Sequence, residues 1–481
     1  MSIILNLESI TEELRSTIVK KCSIRPAKTQ YNSDPDLIDC FSVTPWGVYV
    51  PLGAWREFID EFPDYHEGTH LPLNKGVKCT KEMYTIETDP KGYRDQDVVV
   101  MEAYEKLIVD HTVFISASPG FGKTSCANYL GCKLGLKILV MCHLDKVNKQ
   151  WVKEFEEHST AKVQLIKGKA KFDPDADVYV IGVLKAANMD PQDFANAGIG
   201  TVIFDEAHVA TITAFSSSLL KICPKYVIGL SATPERGDGM QKLLSMYFGP
   251  KKGYISRQEV KDFVVYKMET NYRPEIRYKV VYGSSILDWT TVLNSIAYNK
   301  NRQRDIAEIA LSHPEHRIMI LSDRIEECVG IYNYLVDALV KKLGYLPIDV
   351  SADLGIYLMD ESNKKDKIEK IQQYQTLIAG RKRAGIGFDD PTRTMLVLGT
   401  DCKDVRQNEG RIRTTNNIVY DVVDNYSTLE SHWEQRAAWY EKRGASIVTI
   451  PRTDPTDMGR KGKKKAQEEI SNKRRLPKNT S

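Results

Sequence analysis

Two short segments carry residue types whose spacing points to chemistry on a triphosphate. Ala117-Ser118-Pro119-Gly120-Phe121-Gly122-Lys123-Thr124 follows the apolar run Val113-Phe114-Ile115, and Asp205-Glu206-Ala207-His208 follows a second run, Thr201-Val202-Ile203-Phe204. The first reads as a Gly-rich turn between a strand and a helix. Its backbone N–H groups can wrap phosphates while Lys123 reaches the β- and γ-phosphates and Thr124 meets Mg²⁺. Asp205, at the carboxyl end of an apolar strand, is expected to hold Mg²⁺ through water. Glu206 is the candidate to orient or deprotonate the attacking water. ATP and Mg²⁺ are therefore the expected cofactors, because phosphoryl transfer asks the protein mainly for positioning and charge neutralisation.

Elements that could hold these residues recur through the chain. Val113–Ser116, Lys137–Cys142, Asp177–Gly182, Thr201–Asp205 and Tyr226–Ser231 are short, β-rich and almost continuously apolar. Separated by helix-compatible sequence, they predict a parallel α/β sheet covered on both faces. A helix is predicted over Thr124–Leu134, stopping at Gly135. The rhythm returns at Arg317–Ser322, Thr376–Ala379, Thr394–Gly399 and Ile418–Val423, so a second α/β lobe is expected. We read residues 1–90 as a small accessory module, 91–250 as the ATP-binding lobe, 251–300 as a linker or extension, 301–450 as the second lobe, and 451–481 as a basic disordered tail.

Length and composition agree with several domains. A chain of 481 residues exceeds what one core normally holds, and 42% apolar with 27% charged residues is ordinary for a globular protein. No apolar stretch reaches membrane-spanning length. The start carries no basic leader, and the nine cysteines are scattered and odd in number, so an intracellular, reducing setting without structural metal is expected. The net charge is +3, yet residues 451–481 alone contribute +6, which leaves the body at −3. Nucleic acid, if bound, must meet a local groove, with the tail adding nonspecific phosphate attraction or remaining solvated.

The residues resemble superfamily 2 helicases and translocases. Residues 117–124 are similar to their first motif, Asp205 to His208 to the second, and Gly229-Leu230-Ser231-Ala232-Thr233-Pro234 to the third. Gln150-Trp151 resembles the Gln-Trp of XPB-type, UvsW-type and poxviral transcript-release helicases. Ile320 to Arg324 resembles the fourth motif, Gly387-Phe388-Asp389-Asp390-Pro391 the fifth in its XPB form, and Gln407-Asn408-Glu409-Gly410-Arg411-Ile412-Arg413 the sixth. The overall likeness is to helicases of large DNA viruses.

The resemblance implies two tandem RecA-like lobes with ATP bound between them. It further implies that His208, Ser231, Thr233, Asp389, Gln407 and Gly410 couple nucleotide to nucleic acid, and that an arginine from the sixth motif stabilises the transferred charge. That motif departs from the family pattern: Thr414 stands where the final Arg is usual, and Arg413 lies one place earlier. Arg411 and Arg413 are both candidates for the finger. Gln96, some twenty residues before the phosphate loop, either reads an adenine edge or faces solvent on a helix, and Tyr93 either stacks on adenine or does not.

Function then reads as an ATP-dependent helicase or translocase. DNA is favoured over RNA as partner, a transcription complex is a candidate setting, and no membrane is involved. The alternatives are an RNA helicase, and a weak motor serving as a DNA-binding subunit; a restriction-type motor ranks last. A viral origin would put the protein in the host cytoplasm, at a replication site or in the virion.

Overall fold

A computed structural model describes residues 1–26, 34–57, 65–66, 68–208, 219–232, 241–260, 262–281, 284–359, 368–385, 390, 392–412 and 417–452. Its first strands are short and antiparallel. β1 (Ser2–Leu5), β4 (Ser42–Thr44), β5 (Gly47–Pro51) and β6 (Tyr65–His66) form a sheet of order β4-β5-β1-β6, beside a two-stranded pair of β2 (Ser23–Ile24) and β3 (Ile38–Asp39). Alternation puts Ile3, Leu5, Val48 and Val50 inside.

Near-continuous apolar runs build the first parallel sheet, as fully covered strands should. β7 (Thr112–Ala117), β8 (Ile138–Cys142), β9 (Val163–Ile166), β10 (Val178–Gly182), β11 (Thr201–Phe204), β12 (Tyr226–Ser231) and β13 (Ile255–Arg257) adopt the order β13-β7-β12-β11-β8-β10-β9. Every pairing in it is parallel. The second sheet, also parallel throughout, comprises β14 (Phe263–Glu269), β17 (Ile318–Ser322), β18 (Ile356–Met359), β19 (Thr376–Gly380), β20 (Met395–Leu398), β21 (Ile418–Val423) and β22 (Ala445–Ile450) in the order β18-β19-β17-β20-β21-β14-β22. β15 (Tyr278–Val281) and β16 (Ser284–Leu287) pair only with each other. The fold is therefore two RecA-like α/β lobes, as expected.

The chain divides into Met1–Glu259 and Val260–Ser481. Within residues 251–300, read from the sequence as a linker or extension, β13 extends the first sheet at its edge and β14 lies inside the second, between β21 and β22. Residues 1–90 pack onto the first lobe. Met1, Ile3, Leu5, Val48, Val50 and Leu52 share one apolar core with Leu220, Ile222, Leu244, Met246, Tyr247 and Phe248. Gly53 lies so close to the lobe that a Cβ there would come within 2.6 Å of Gly249 N and Met246 O. Residues 71–80 run along the lobe's surface: Leu71 N donates to Gly198 O (2.8 Å), Leu73 N to Gly135 O (2.9 Å) and Thr80 N to His158 O (2.9 Å). The basic tail from residue 453 onward lies outside the described residues.

Candidate active site

The phosphate-loop motif lies where β7 hands over to the helix Lys123–Leu134. Gly122 caps that helix at φ 98°, a left-handed value that glycine adopts without strain, and no side chain caps its first-turn amides. An uncapped helix start behind a Gly-rich turn attracts anions. Lys123 Nζ donates to Ala117 O (2.6 Å) and Ser118 O (3.3 Å), which keeps its ammonium at the loop. Pro119 and Gly120 are half-buried, Phe121 is buried beneath them, and Thr124 follows in the first helical turn.

Two neighbours brace the loop. Gln96 opens the helix Gln96–Asp110 and is 1% exposed. Its Nε2 donates to Phe121 O (2.6 Å) and its Oε1 accepts from Tyr84 N (3.1 Å). This corrects the solvent-facing reading of Gln96: the side chain is buried, and its carboxamide bonds the loop and residue 84. Tyr93 is half-buried, its ring 6.3 Å from that of Phe121. On the other side, Ser118 N donates to Arg257 O (3.0 Å), Ser118 Oγ donates to Gln258 Oε1 (3.1 Å), and Glu259 N donates to Ser118 Oγ (2.9 Å). Arg257 also bonds Asp95 (2.7 Å) and Glu102 (3.1 Å) on the Gln96 helix and just before it.

β7, β12 and β11 are neighbours in the sheet, so Lys123, Ser231 and Asp205 all emerge from one carboxyl edge. Asp205 Oδ1 accepts from Glu206 N (2.9 Å) and Oδ2 from the indole Nε1 of Trp151 (2.8 Å). Burial pushes the Asp205 carboxyl up to about 6, aided by the adjacent Glu206 charge and opposed by Trp151, Lys123 and the Glu206 amide. Glu206 holds φ 51°. A side-chain-bearing residue there costs on the order of 1 kcal/mol, and such strain collects at functional sites. His208 Nδ1 lies 2.9 Å from Ser231 Oγ and 3.4 Å from Glu206 Oε2, so one imidazole touches the second and third motifs together.

In the second unit, Gln407 lies on the short helix Arg406–Glu409, Gly410 caps it, and Arg411 N donates to Asn408 O (3.1 Å). Buried Glu409 ties this turn to buried Arg443 (3.3 Å). Around the fourth motif, Arg302, 1% exposed, bonds both carboxylate oxygens of Asp424 (2.9 Å each), Glu327 and Gly399 O. Glu327 in turn accepts from Ser322 (2.5 Å) and Thr400 (2.8 Å), while Arg381 bonds Asp323. These polar groups gather at the carboxyl ends of β17, β20 and β21.

The structure thus brings together Gln96, Ala117 to Thr124, Asp205, Glu206, His208 and Ser231 in one unit, and Gln407, Gly410 and Arg411 in the other. Thr233, Asp389 and Arg413 lie outside the described residues, as does the side chain of Gln407. Sequence reasoning attached no role to Trp151, Arg257, Arg302, Glu327 or Asp424. Trp151 carried a signal in its Gln-Trp pair; the ion network carried none, because its members come from five separated segments.

A glycine-rich loop, the Asp205–His208 segment and the Ser231 strand end lie on adjacent parallel strands, followed by a second parallel sheet, which is a two-lobed RecA-like architecture. Residues 91–236 match the family described as "Type III restriction enzyme, res subunit". "Putative helicase 161L" of Invertebrate iridescent virus 6 is 29% identical over 471 residues, covering 93% of this chain and 99% of that protein. "Putative helicase 055L" of Frog virus 3 is 26% identical over 414 residues, covering 85% and 88%. The fold is similar to a fragment of a "putative HsdR subunit of a type I restriction enzyme" from Vibrio vulnificus, at TM-score 0.53 and 15% identity, covering 74% of this chain and 68% of that one. Along most of its length the chain is similar to the superfamily 2 helicases found in large DNA viruses. Helicases of that class use a nucleotide and bind nucleic acid. Among the described residues no helix is long and apolar enough to cross a membrane.

Proposed function

We propose that this protein hydrolyses ATP to move along nucleic acid, with DNA preferred to RNA and a transcription complex as a candidate setting inside an infected cell. The observation that carries the reading is the convergence of Lys123, Asp205, Glu206 and the His208–Ser231 pair at one carboxyl edge of the first sheet.

The donors suit Mg²⁺-ATP. A hard cation takes oxygen ligands and is commonly held by one or two carboxylates together with the substrate's phosphates. Asp205 and the Thr124 hydroxyl are such oxygens, and among the described residues no cluster of three or more His, Cys, Asp or Glu offers a self-sufficient metal cage. Bound there, Mg²⁺ would supply charge neutralisation across the β- and γ-phosphates. Lys123 exchanges carbonyl partners for phosphate oxygens, a stronger charge-assisted bond. Glu206 orients the attacking water and accepts its proton. His208, touching Glu206 and Ser231, relays the state of that carboxylate to the third motif. Arg411 or Arg413 neutralises charge on the transferred group, a contribution of roughly 10³–10⁵ in rate where such fingers act.

The test is ATP hydrolysis measured without polymer and with single-stranded DNA, duplex DNA or RNA, for the native chain, Lys123→Ala and Glu206→Gln. DNA should stimulate the native chain most, Lys123→Ala should lose nucleotide binding, and Glu206→Gln should bind ATP without turning it over. Stimulation by RNA alone would make it an RNA helicase, and indifference to every polymer would reject the motor.

A further inference from the structure

Trp151 lies in the helix Asp145–His158, which follows β8 in the chain; β8 neighbours β11 in the sheet. The side chain is 1% exposed, packed 6.0 Å from the Phe155 ring within the core beneath the phosphate loop. Only its N–H points to a polar group, and that group is Asp205 Oδ2 at 2.8 Å. The other oxygen, Oδ1, accepts from Glu206 N, and the Asp205 backbone is fixed by its own N–H to Met141 O at 3.0 Å. Both oxygens are therefore held from within the protein, one of them by a donor on a rigid ring with no freedom to follow a drifting carboxylate.

Packing alone does not require this. A Phe in the same slot would fill most of the volume, whereas a buried indole N–H without a partner costs about 1–3 kcal/mol, so the ring demands that the carboxylate stay where it is. Metal sites lose function when a ligand moves by a fraction of an ångström, and the groups behind the ligands set that tolerance.

We infer that Trp151 is a positioning residue for the Mg²⁺ ligand Asp205, orienting the carboxylate through the indole N–H. The inference rests on the proposed role of Asp205 as that ligand. Without the indole donor the carboxylate rotates about its side-chain bonds, and the loss falls on metal-assisted nucleotide binding, leaving the metal-free part untouched.

The experiment measures the dissociation constant of a fluorescent ADP analogue with and without Mg²⁺ for the full-length native chain, Trp151→Phe, Asp205→Asn and the double variant. Native protein should bind more tightly with Mg²⁺, and Asp205→Asn should abolish that gain. Trp151→Phe should keep metal-free affinity within about twofold yet lose about tenfold or more of the Mg²⁺-dependent gain, the range seen when groups behind a metal ligand are removed. The double variant should equal Asp205→Asn. Should the Phe variant fold poorly, benzothienylalanine at position 151, with sulfur in place of N–H, removes the donor and keeps the shape. A full Mg²⁺ gain with either replacement overturns the inference, as does an equal loss with and without metal. An Asp205→Asn protein that keeps the native Mg²⁺ gain instead overturns the parent reading.

Discussion

At the scale of single residues, the site is a set of short contacts that a change of one atom can probe. His208 is the clearest case, since one imidazole nitrogen faces both Ser231 Oγ and Glu206 Oε2. Groups in one hydrogen-bonded network couple by about 0.5–3 kcal/mol in double-mutant cycles. His208→Ala and Ser231→Ala should each lower polymer-stimulated turnover, and together lower it by less than the product of the two. Strictly multiplicative effects would show that the pair carries no signal. Glu206→Gln is a clean probe because it keeps the side-chain length while the backbone stays at its positive φ. Most of these residues were legible from spacing alone: a Lys-Thr after glycines and an acidic pair after an apolar run have few other uses. Gln96 was not, because position on a helix does not say which face is buried; its partner, the carbonyl of Phe121, is 25 residues away.

At the scale of elements, the segment 84–96 shows how a loop without regular structure is made stiff. Asp89 is buried and accepts from Lys91 N, Tyr93 N, Arg94 N and the Arg94 guanidinium. Burial alone would raise its pKa, but the Arg94 and backbone bonds outweigh it and hold the carboxyl well below the usual carboxylate range. A depressed folded pKa stabilises the protein above the unfolded value, near pH 4, and that contribution fades as the pH falls further. Asp89→Asn should therefore lower the melting temperature at pH 7, and the gap from native should shrink below about pH 4. A gap constant across that range would assign the loss to something other than charge. Gln96→Ala, which removes the partner of the Phe121 carbonyl in a buried bond and of the Tyr84 amide in a half-buried one, should cost about 1–3 kcal/mol of stability and loosen nucleotide binding, read by thermal unfolding and by titration with ADP. Unchanged binding would show that the loop needs no brace.

Nine strands were visible in the sequence, and Tyr226–Ser231 and Ile418–Val423 match the structure residue for residue. The strands that escaped have physical excuses. β9, β13, β18 and β22 are edge strands of three to six residues; β9, β13 and β22 mix polar residues among the apolar ones, and β18, though apolar throughout, is only four residues long. β14 is interior, yet it ends in Lys267 and Glu269, which pair at 2.6 Å and so read as surface when only the letters are seen. Its neighbours come from more than 150 residues downstream, a distance over which local pattern carries no information.

At the scale of the whole molecule, each unit has its own apolar cores, and the first includes what the sequence offered as a small accessory module. Met1, Ile3, Leu5, Val48, Val50 and Leu52 are among the buried apolar side chains on the amino-terminal side of that shared core, and exposing each costs about 1.5–3 kcal/mol, against a net stability of roughly 5–15 kcal/mol for a whole domain. A chain shortened to begin at residue 91 should therefore be recovered as aggregate or bind the dye ANS, while the full chain does neither. A soluble, ATP-binding fragment would show the seam to be dispensable. Gly53 sharpens the point, since its missing side chain is what lets two stretches of backbone meet. Whatever segment precedes this lobe must meet it with an equally bare contact at position 53, because any side chain there would hold the two stretches of backbone apart.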